Sequence, residues 1–342
     1  MGRRRIRKRK LNFPWLETMA AIIAAILVSG SAYLLSSPYL LPAGMPEPQE
    51  QGQVEEPVKI ASEETTASDW EWVPKEPVTH SSILLLGLDD HGMADVIMIA
   101  TYDLDTFKSS LLSIKRDTFV ENQPWGRADI GQSHLAWANY HGILEEGDFA
   151  GGARMAAFTV EQMLGIEIHA YASIDFEGFV DLIDYLGGVT VNVAPGFAER
   201  PGQALPTGLQ RLNGEQALIY ARHRMNPRIP EPGSTSQDGD RIRRNQVLLK
   251  ALAEQCRDME TDELMALVDR LEGNLFTSMD DWDILQLINI LYHNDAADIE
   301  TAVLPGEGEV VFEDLIDQEV YYYFLDHSAC RELLRDFGLI RD

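Results

Sequence analysis

Two aspartates and a set of arginines are the residues of this sequence best placed to do chemistry together. Asp89 and Asp95 stand at the two ends of a short loop containing Gly92, inside the stretch Ile83–Thr118, ILLLGLDDHGMADVIMIATYDLDTFKSSLLSIKRDT. So short a loop lets both carboxylates converge. Converging carboxylates suit a hard divalent cation such as Mg²⁺, which takes oxygen ligands and often shares them with phosphate. Solvated loop aspartates fit the same stretch, which leaves both readings open. Arg116 follows the third apolar run, Arg222 and Arg224 close one helical segment, and Arg241 and Arg244 share a face of the next. With Arg116 they would line a positive pocket, and the rigid guanidinium fork suits bidentate contact with phosphate oxygens. Arginines together with Mg²⁺ on Asp89 and Asp95 would neutralise a pyrophosphate and stabilise the charge of phosphoryl transfer. Ion pairing with the many acids of the chain also accounts for the arginines.

Alternating strands and helices would hold these residues. Ile83–Leu88, Val96–Ala100 and Leu111–Ile114 have the length of buried strands, and each adjoins charge at one end. Gly151–Leu164 approximates helical spacing through Met155, Phe158, Val160 and Met163. Ala170–Ile174 reads as a strand, Phe176–Leu186 as an amphipathic helix ended by Gly187-Gly188, and Val189–Val193 as a strand. Residues 194–213, rich in Gly, Pro and Gln, read as loop. Asn213 caps a helix over Gly214–Arg224, and Asp240–Asp258 is a stronger one. Helices at Thr261–Leu271 and Asp281–Tyr292, a strand at Ile299–Leu304, a turn at 305–308 and a helix near Ser328–Phe337 follow. His134 and His141 read as ordinary polar residues. The alternation predicts an α/β fold, an α/β/α sandwich with a central mixed sheet.

The formal charge is −27, although the first ten residues hold seven cations and no acid. The remainder is therefore more acidic still and would repel a nucleic-acid backbone, so nucleic acid is not an expected partner. The basic segment 1–17 precedes an uncharged run, and residues 18–41 are long enough to cross a bilayer as one helix. Trp15 and Tyr39 would sit at its interfaces, with the N-terminus in the cytoplasm and the body outside the cell membrane. A cleaved signal peptide is the competing reading, but its apolar run would be shorter and followed by a small-x-small site. Residues 42–80, rich in Pro, Glu, Gln and Ser, describe an extended acidic stalk, and 81–342 an extracytoplasmic domain. Cys256 and Cys330 lack metal-site spacing and would either pair or remain thiols.

Five segments, ILLLGLDDHGMAD, LLSIKRDTFV, SIDFEGFVDLIDYLGGVTVNV, LNGEQALIYARHR and DGDRIRRNQVLLKAL, resemble in order the successive blocks of the LytR-CpsA-Psr family of cell-wall glycopolymer ligases. The resemblance covers roughly 81–252, with a weaker echo in 253–342 at LPGEG and the final helix. It implies a phosphotransferase that moves a glycan phosphate from a polyprenyl-pyrophosphate carrier to a hydroxyl of peptidoglycan. The products would be teichoic acid or capsular polymer joined to the wall, and the cofactor Mg²⁺ or Mn²⁺. By position, Asp89 and Asp95 match the family's metal-binding aspartates. Arg116, Arg222, Arg224, Arg241 and Arg244 match arginines that grip the pyrophosphate, and Gln246 falls in the adjoining polar block. The resemblance places Arg116, Asp117, Arg222 and Arg224 at the reacting centre, with Asp117 as an acid or hydrogen-bonding support.

The sequence departs from the family pattern at Asp90-His91 after the first aspartate, at Lys115 in place of proline, and at Asn245 in place of glutamine. A hydrophobic tunnel for the carrier, which the resemblance implies, would draw on Phe158, Met163, Phe176, Phe179, Ile183 and Leu186; core packing explains the same residues. Two further functions stay open. One is a hydrolase acting on the same carrier with water. The other is a non-catalytic carrier-binding regulator of envelope assembly.

Overall fold

The structure is a computed structural model. It describes residues 80–103, 106, 108–121, 123–125, 134–194, 205–223, 237–257, 259, 263, 267, 270–271, 273–279, 298–313 and 317–340. The three apolar runs become an antiparallel meander of β1 (His80–Leu88), β2 (Ala94–Asp103) and β3 (Ser109–Ile114). In β1 every residue from Ile83 to Leu88 is buried, so side chains pointing to both faces of the sheet are covered. That explains a continuous apolar run where a half-exposed strand would alternate.

The meander is extended by β4 (Ala170–Ile174), which runs parallel to β1, and by β7 (Leu275–Thr277), antiparallel to β4. On the other side, β8 (Glu300–Val303) runs parallel to β3. The mixed sheet has the order β7-β4-β1-β2-β3-β8. β5 (Val189–Val193) pairs with β6 (Gly208–Leu212), and β9 (Gly306–Glu313) pairs with β10 (Gln318–Leu325), each pair forming its own antiparallel ribbon.

The described helices are α1 (Ala136–Glu146), α2 (Phe149–Leu164), α3 (Phe176–Tyr185), α4 (Gly214–Arg222), α5 (Gln237–Arg257) and α6 (His327–Asp336). Asp148 caps α2 by accepting from the Gly151 amide, Asp175 caps α3 through the Gly178 amide, and Asn213 and Gln216 close a capping box on α4. On α3 the buried stripe includes Phe179, Leu182 and Ile183. Each such side chain contributes roughly 1.5–3 kcal/mol by leaving water.

The α/β architecture and central mixed sheet follow the expectation. Several elements differ from it. The segment read as loop contains β6, in which only Leu212 is buried; it pairs with β5, whose Val189, Val191 and Val193 bury one face. The expected turn at 305–308 instead starts β9, an acidic strand without an inward apolar run, and β7, β10 and α1 carried no clear periodic signal. α4 ends at Arg222 with His223 extended, so Arg224 lies outside the described residues. So do the basic tail, the apolar span, the stalk up to residue 79 and the expected helix at 281–292. Among the described residues no helix is long and apolar enough to cross a membrane. Cys256 and Cys330 are both free and buried.

Candidate functional site

The loop between β1 and β2 is an Asx turn built on Asp89. One carboxylate oxygen, Oδ1, accepts from the backbone amides of His91 and Met93, both at 2.9 Å. Gly92 turns the chain with φ +80°, and a Cβ there would lie 2.6 Å from Cδ1 of Ile143 on α1. Asn139, fully buried on α1, donates from Nδ2 to the Gly92 carbonyl at 2.8 Å. The helix therefore fixes the loop from behind. Burial pushes the Asp89 carboxyl above its ordinary range, and the negative charge of Asp95 adds to the shift.

Asp95 owes its orientation to a slip in the β1–β2 register. Gly87 pairs with Val96 while Leu88 pairs with Ala94, so Asp95 is the extra residue of a bulge. On its other side the pair Ile97–Ile114 sets the β2–β3 register. Continued two residues past that pair on each chain, the register puts Arg116 across from Asp95. The two form an ion pair through Arg116 Nη1 and Asp95 Oδ1, with the Asp95 side chain fully buried and that of Arg116 12% exposed. Asp95 Oδ2 is buried without a hydrogen-bond partner among the described residues. Asp117 extends the pair, its Oδ1 lying 3.3 Å from Arg116 Nε.

The strand after Arg116 is held by the last ribbon. The Tyr323 amide donates to the Asp117 carbonyl at 2.9 Å, the Phe119 amide donates to the Tyr323 carbonyl at 2.9 Å, and the Lys115 ammonium sits 3.7 Å from the Tyr323 ring centroid. Lys115, a departure from the family pattern, thus has an aromatic seat that proline would leave empty.

At the same edge, Gly87 of β1 pairs with Ile174 of β4, which sets Asp175 and Phe176 beside the start of the Asp89 loop. Burial raises the Asp175 carboxyl, and the nearby charges of Glu177 and Asp90 raise it further. Arg222, the last residue of α4, places its guanidinium 4.3 Å from the Phe176 ring centroid. Asp89, Asp95, Arg116, Asp117 and Arg222 thus sit at the ends of β1, β2, β3 and β4 or on the helix against them.

The remaining candidates are deeper. Arg244 is buried and donates from Nε to the Tyr220 carbonyl at 3.1 Å and from Nη2 to the His223 carbonyl, capping the C-terminus of α4. Arg241, a turn earlier on α5, is also buried. Gln246 spends both amide hydrogens on the sheet, donating to Ser113 Oγ at 2.9 Å and to the Ala302 carbonyl at 3.1 Å. Asn245, another departure from the family pattern, is buried beside it. Asn139 and Tyr323 had no functional signal in the sequence, because each acts through a segment distant in the chain; Phe176 was read only as a tunnel-lining or core residue, not as a neighbour of Arg222.

A divalent cation fits the aspartate pair. Asp89 Oδ2 lies outside the Asx turn, and Asp95 Oδ2 is a buried anionic oxygen that burial penalises unless positive charge meets it. Among the described residues no three His, Cys, Asp or Glu side chains cluster into a closed cage. Two carboxylates completed by water and phosphate oxygens are the donor set that Mg²⁺ accepts with a substrate.

The model of the LytR_cpsA_psr family matches residues 49–336. The polyisoprenyl-teichoic acid–peptidoglycan teichoic acid transferase TagU of Oceanobacillus iheyensis is 32% identical over 248 residues, 71% of this chain and 71% of its own length. The regulatory protein MsrR of Staphylococcus aureus is 30% identical over 212 residues, 60% of this chain and 58% of its own, so this chain spans under two thirds of that relative. The crystal structure of TagV from B. subtilis superposes with a TM-score of 0.59 at 25% identity, covering 77% of this chain and 99% of that one. Family match, relative and fold agree: the chain belongs to the LytR_cpsA_psr family.

Proposed function

We propose that this protein attaches a glycopolymer to the cell wall by transferring a glycan phosphate from a polyprenyl-pyrophosphate carrier to a peptidoglycan hydroxyl. The observation that carries the reading is the convergence of the Asp89–Asp95 pair with Arg116 and Arg222 at one end of the sheet. Acids that would hold a cation lie beside guanidiniums that would hold diphosphate oxygens. The similarity to a relative named as a teichoic acid transferase supports the same chemistry.

In this mechanism the acceptor hydroxyl oxygen forms a bond to the glycan-linked phosphorus. The bond from that phosphorus to the bridging oxygen breaks in line, and polyprenyl phosphate leaves. Arg116 and Arg222 orient the diphosphate and neutralise charge gathering on its oxygens. Asp95 keeps Arg116 in register with the strand edge, and Asp117 accepts the hydroxyl proton or supports Arg116 at its Nε side. Mg²⁺ or Mn²⁺ held by Asp89 and Asp95 would supply further stabilisation of negative charge. Arg244 and Gln246 act from behind, the first on the end of α4 and the second on the sheet. The proposal includes a single membrane span over residues 18–41 with the domain outside the cytoplasm, reached by the stalk.

The test is incubation of the full chain in detergent with a polyprenyl-pyrophosphate-linked sugar and a peptidoglycan oligomer, with and without Mg²⁺. Mass spectrometry is expected to find a phosphodiester-linked product that needs the metal and is lost in Asp89→Ala and Arg222→Ala. Free glycan phosphate alone would make the protein a hydrolase. Tight carrier binding without turnover would favour the regulator reading that the name of MsrR suggests.

A further inference from the structure

We propose that Asn139 is the positioning residue for Asp89: by holding the peptide unit between Gly92 and Met93 it aims the Asp89 carboxylate and sets its affinity for a divalent cation. The role rests on the metal reading above, in which Asp89 and Asp95 hold the ion.

The relay runs through one planar group. The Gly92 carbonyl and the Met93 amide are the two ends of a single peptide unit, and in a trans peptide they point in opposite directions. Asn139 Nδ2 donates to that carbonyl at 2.8 Å, and that amide donates to Asp89 Oδ1 at 2.9 Å. α1 lies on the carbonyl side, so fixing the carbonyl turns the N–H away from the helix and toward the carboxylate. The Gly92 amide donates to the Asp89 carbonyl and the Asp89 amide to the Met93 carbonyl, both at 2.9 Å. Those two bonds close the turn through the neighbouring peptide units and not through this one. Gly92, with φ +80° and no Cβ, would let the unit flip at little cost. A flipped unit would take one donor from Asp89 Oδ1 and turn a carbonyl oxygen toward the carboxylate.

The burial of Asn139 points the same way. It is fully buried, yet its own Oδ1 has no hydrogen-bond partner among the described residues. An apolar residue of similar volume would avoid that orphan oxygen, which burial penalises. Packing alone therefore does not account for an amide here, whereas its donor does. α2 keeps the amide in place. A Cβ on Gly152 would lie 2.9 Å from Asn139 Cγ and 2.7 Å from the Asn139 carbonyl oxygen, so this glycine lets α2 close on the residue and hold it against the loop. Asp89 Oδ1 is then occupied by the amides of His91 and Met93, and Oδ2 faces the cation. A ligand oriented by a hydrogen-bonded neighbour binds metal more tightly, because its geometry is set before the ion arrives.

The test uses the full chain in detergent, stripped of metal by a chelator and then freed of it, with Asn139→Leu, Asn139→Ala and Ile143→Ala. Ile143 is the control for lost packing: its Cδ1 lies 2.6 Å from where a Gly92 Cβ would stand, but it gives the loop no hydrogen bond. Circular dichroism checks that each variant is folded. NMR reads hydrogen exchange at the Met93 amide in the metal-free chain, and calorimetry reads the Kd for Mn²⁺. In both Asn139 variants the Met93 amide is expected to lose protection and the Kd to weaken about 10- to 100-fold. Ile143→Ala should lower Tm and leave both readings near those of the wild type. A Met93 amide that keeps its protection in the Asn139 variants overturns the positioning role, as does a Kd that Ile143→Ala weakens equally. If the wild-type chain binds no Mn²⁺, the metal reading falls and the affinity claim with it, while Met93 exchange still decides whether Asn139 aims the carboxylate.

Discussion

Replacing Arg116 by Met isolates what the bulge and the register accomplish together. The Asp95 carboxylate has no exposed side-chain surface, and Arg116 is its charge partner. A surface ion pair would be worth about 0–1 kcal/mol. Here the applicable figure is that for stranding a buried charge, about 3–5 kcal/mol. With a urea m-value of about 2–3 kcal/mol per molar, the denaturation midpoint should fall by about 1–2.5 M. Adding Asp95→Asn to Arg116→Met removes the charge and should recover part of the stability at pH 7. The assay is urea denaturation of the full chain in a mild detergent with EDTA present to remove any divalent cation, followed by circular dichroism at pH 7. An Arg116→Met midpoint within 0.3 M (about 1 kcal/mol) of the wild type at pH 7 would refute the reasoning, since Asp95 would then have to be solvated.

Three further outcomes are expected. Gly92→Ala places a side chain at φ +80° against Ile143 and should destabilise the chain by about 1–3 kcal/mol while loosening the Asp89 loop; thermal unfolding together with metal titration checks it. Arg244→Met leaves the Tyr220 and His223 carbonyls without their charged donor and should cost about 1.5–3 kcal/mol, with hydrogen exchange fastest at the end of α4; uniform exchange would contradict the cap. Burial pushes the Cys256 thiol well up and holds that of Cys330 at about 11, so native chain should resist iodoacetamide at pH 8 and react at both positions in denaturant. Rapid native labelling of Cys256 would contradict its placement.

The sheet was legible because its central strands are buried on both faces and spell continuous apolar runs from Ile83, Val96 and Leu111. Amphipathic α3 and the Asn213 cap were legible for equally local reasons. β6, β9 and β10 were not, because a strand with few buried residues takes its shape from the partner it pairs with, and pairing is not written in local periodicity. The site divides the same way. Asp89, Asp95 and Arg116 stand out by residue type at strand ends. Asn139 behind Gly92, Phe176 under Arg222 and the second function of Arg244 as a helix cap depend on contacts between distant segments.

Tyr323 gives the site a place in the order of synthesis. The segment bearing Arg116 and Asp117 leaves the ribosome well before the strand that grips its backbone; His134 and Tyr321, in hydrogen-bond contact across the same joint, are 187 residues apart in the chain. Closure over such a separation is slow compared with forming a helix or hairpin. Until β10 is complete, the Arg116 segment lacks the two Tyr323 backbone hydrogen bonds, although Asp95 and the amides of Leu135 and Ala136 already hold it. The arrangement makes the β9–β10 ribbon a checkpoint on assembly: the Arg116 edge gains this backbone clamp only after β10 has been made.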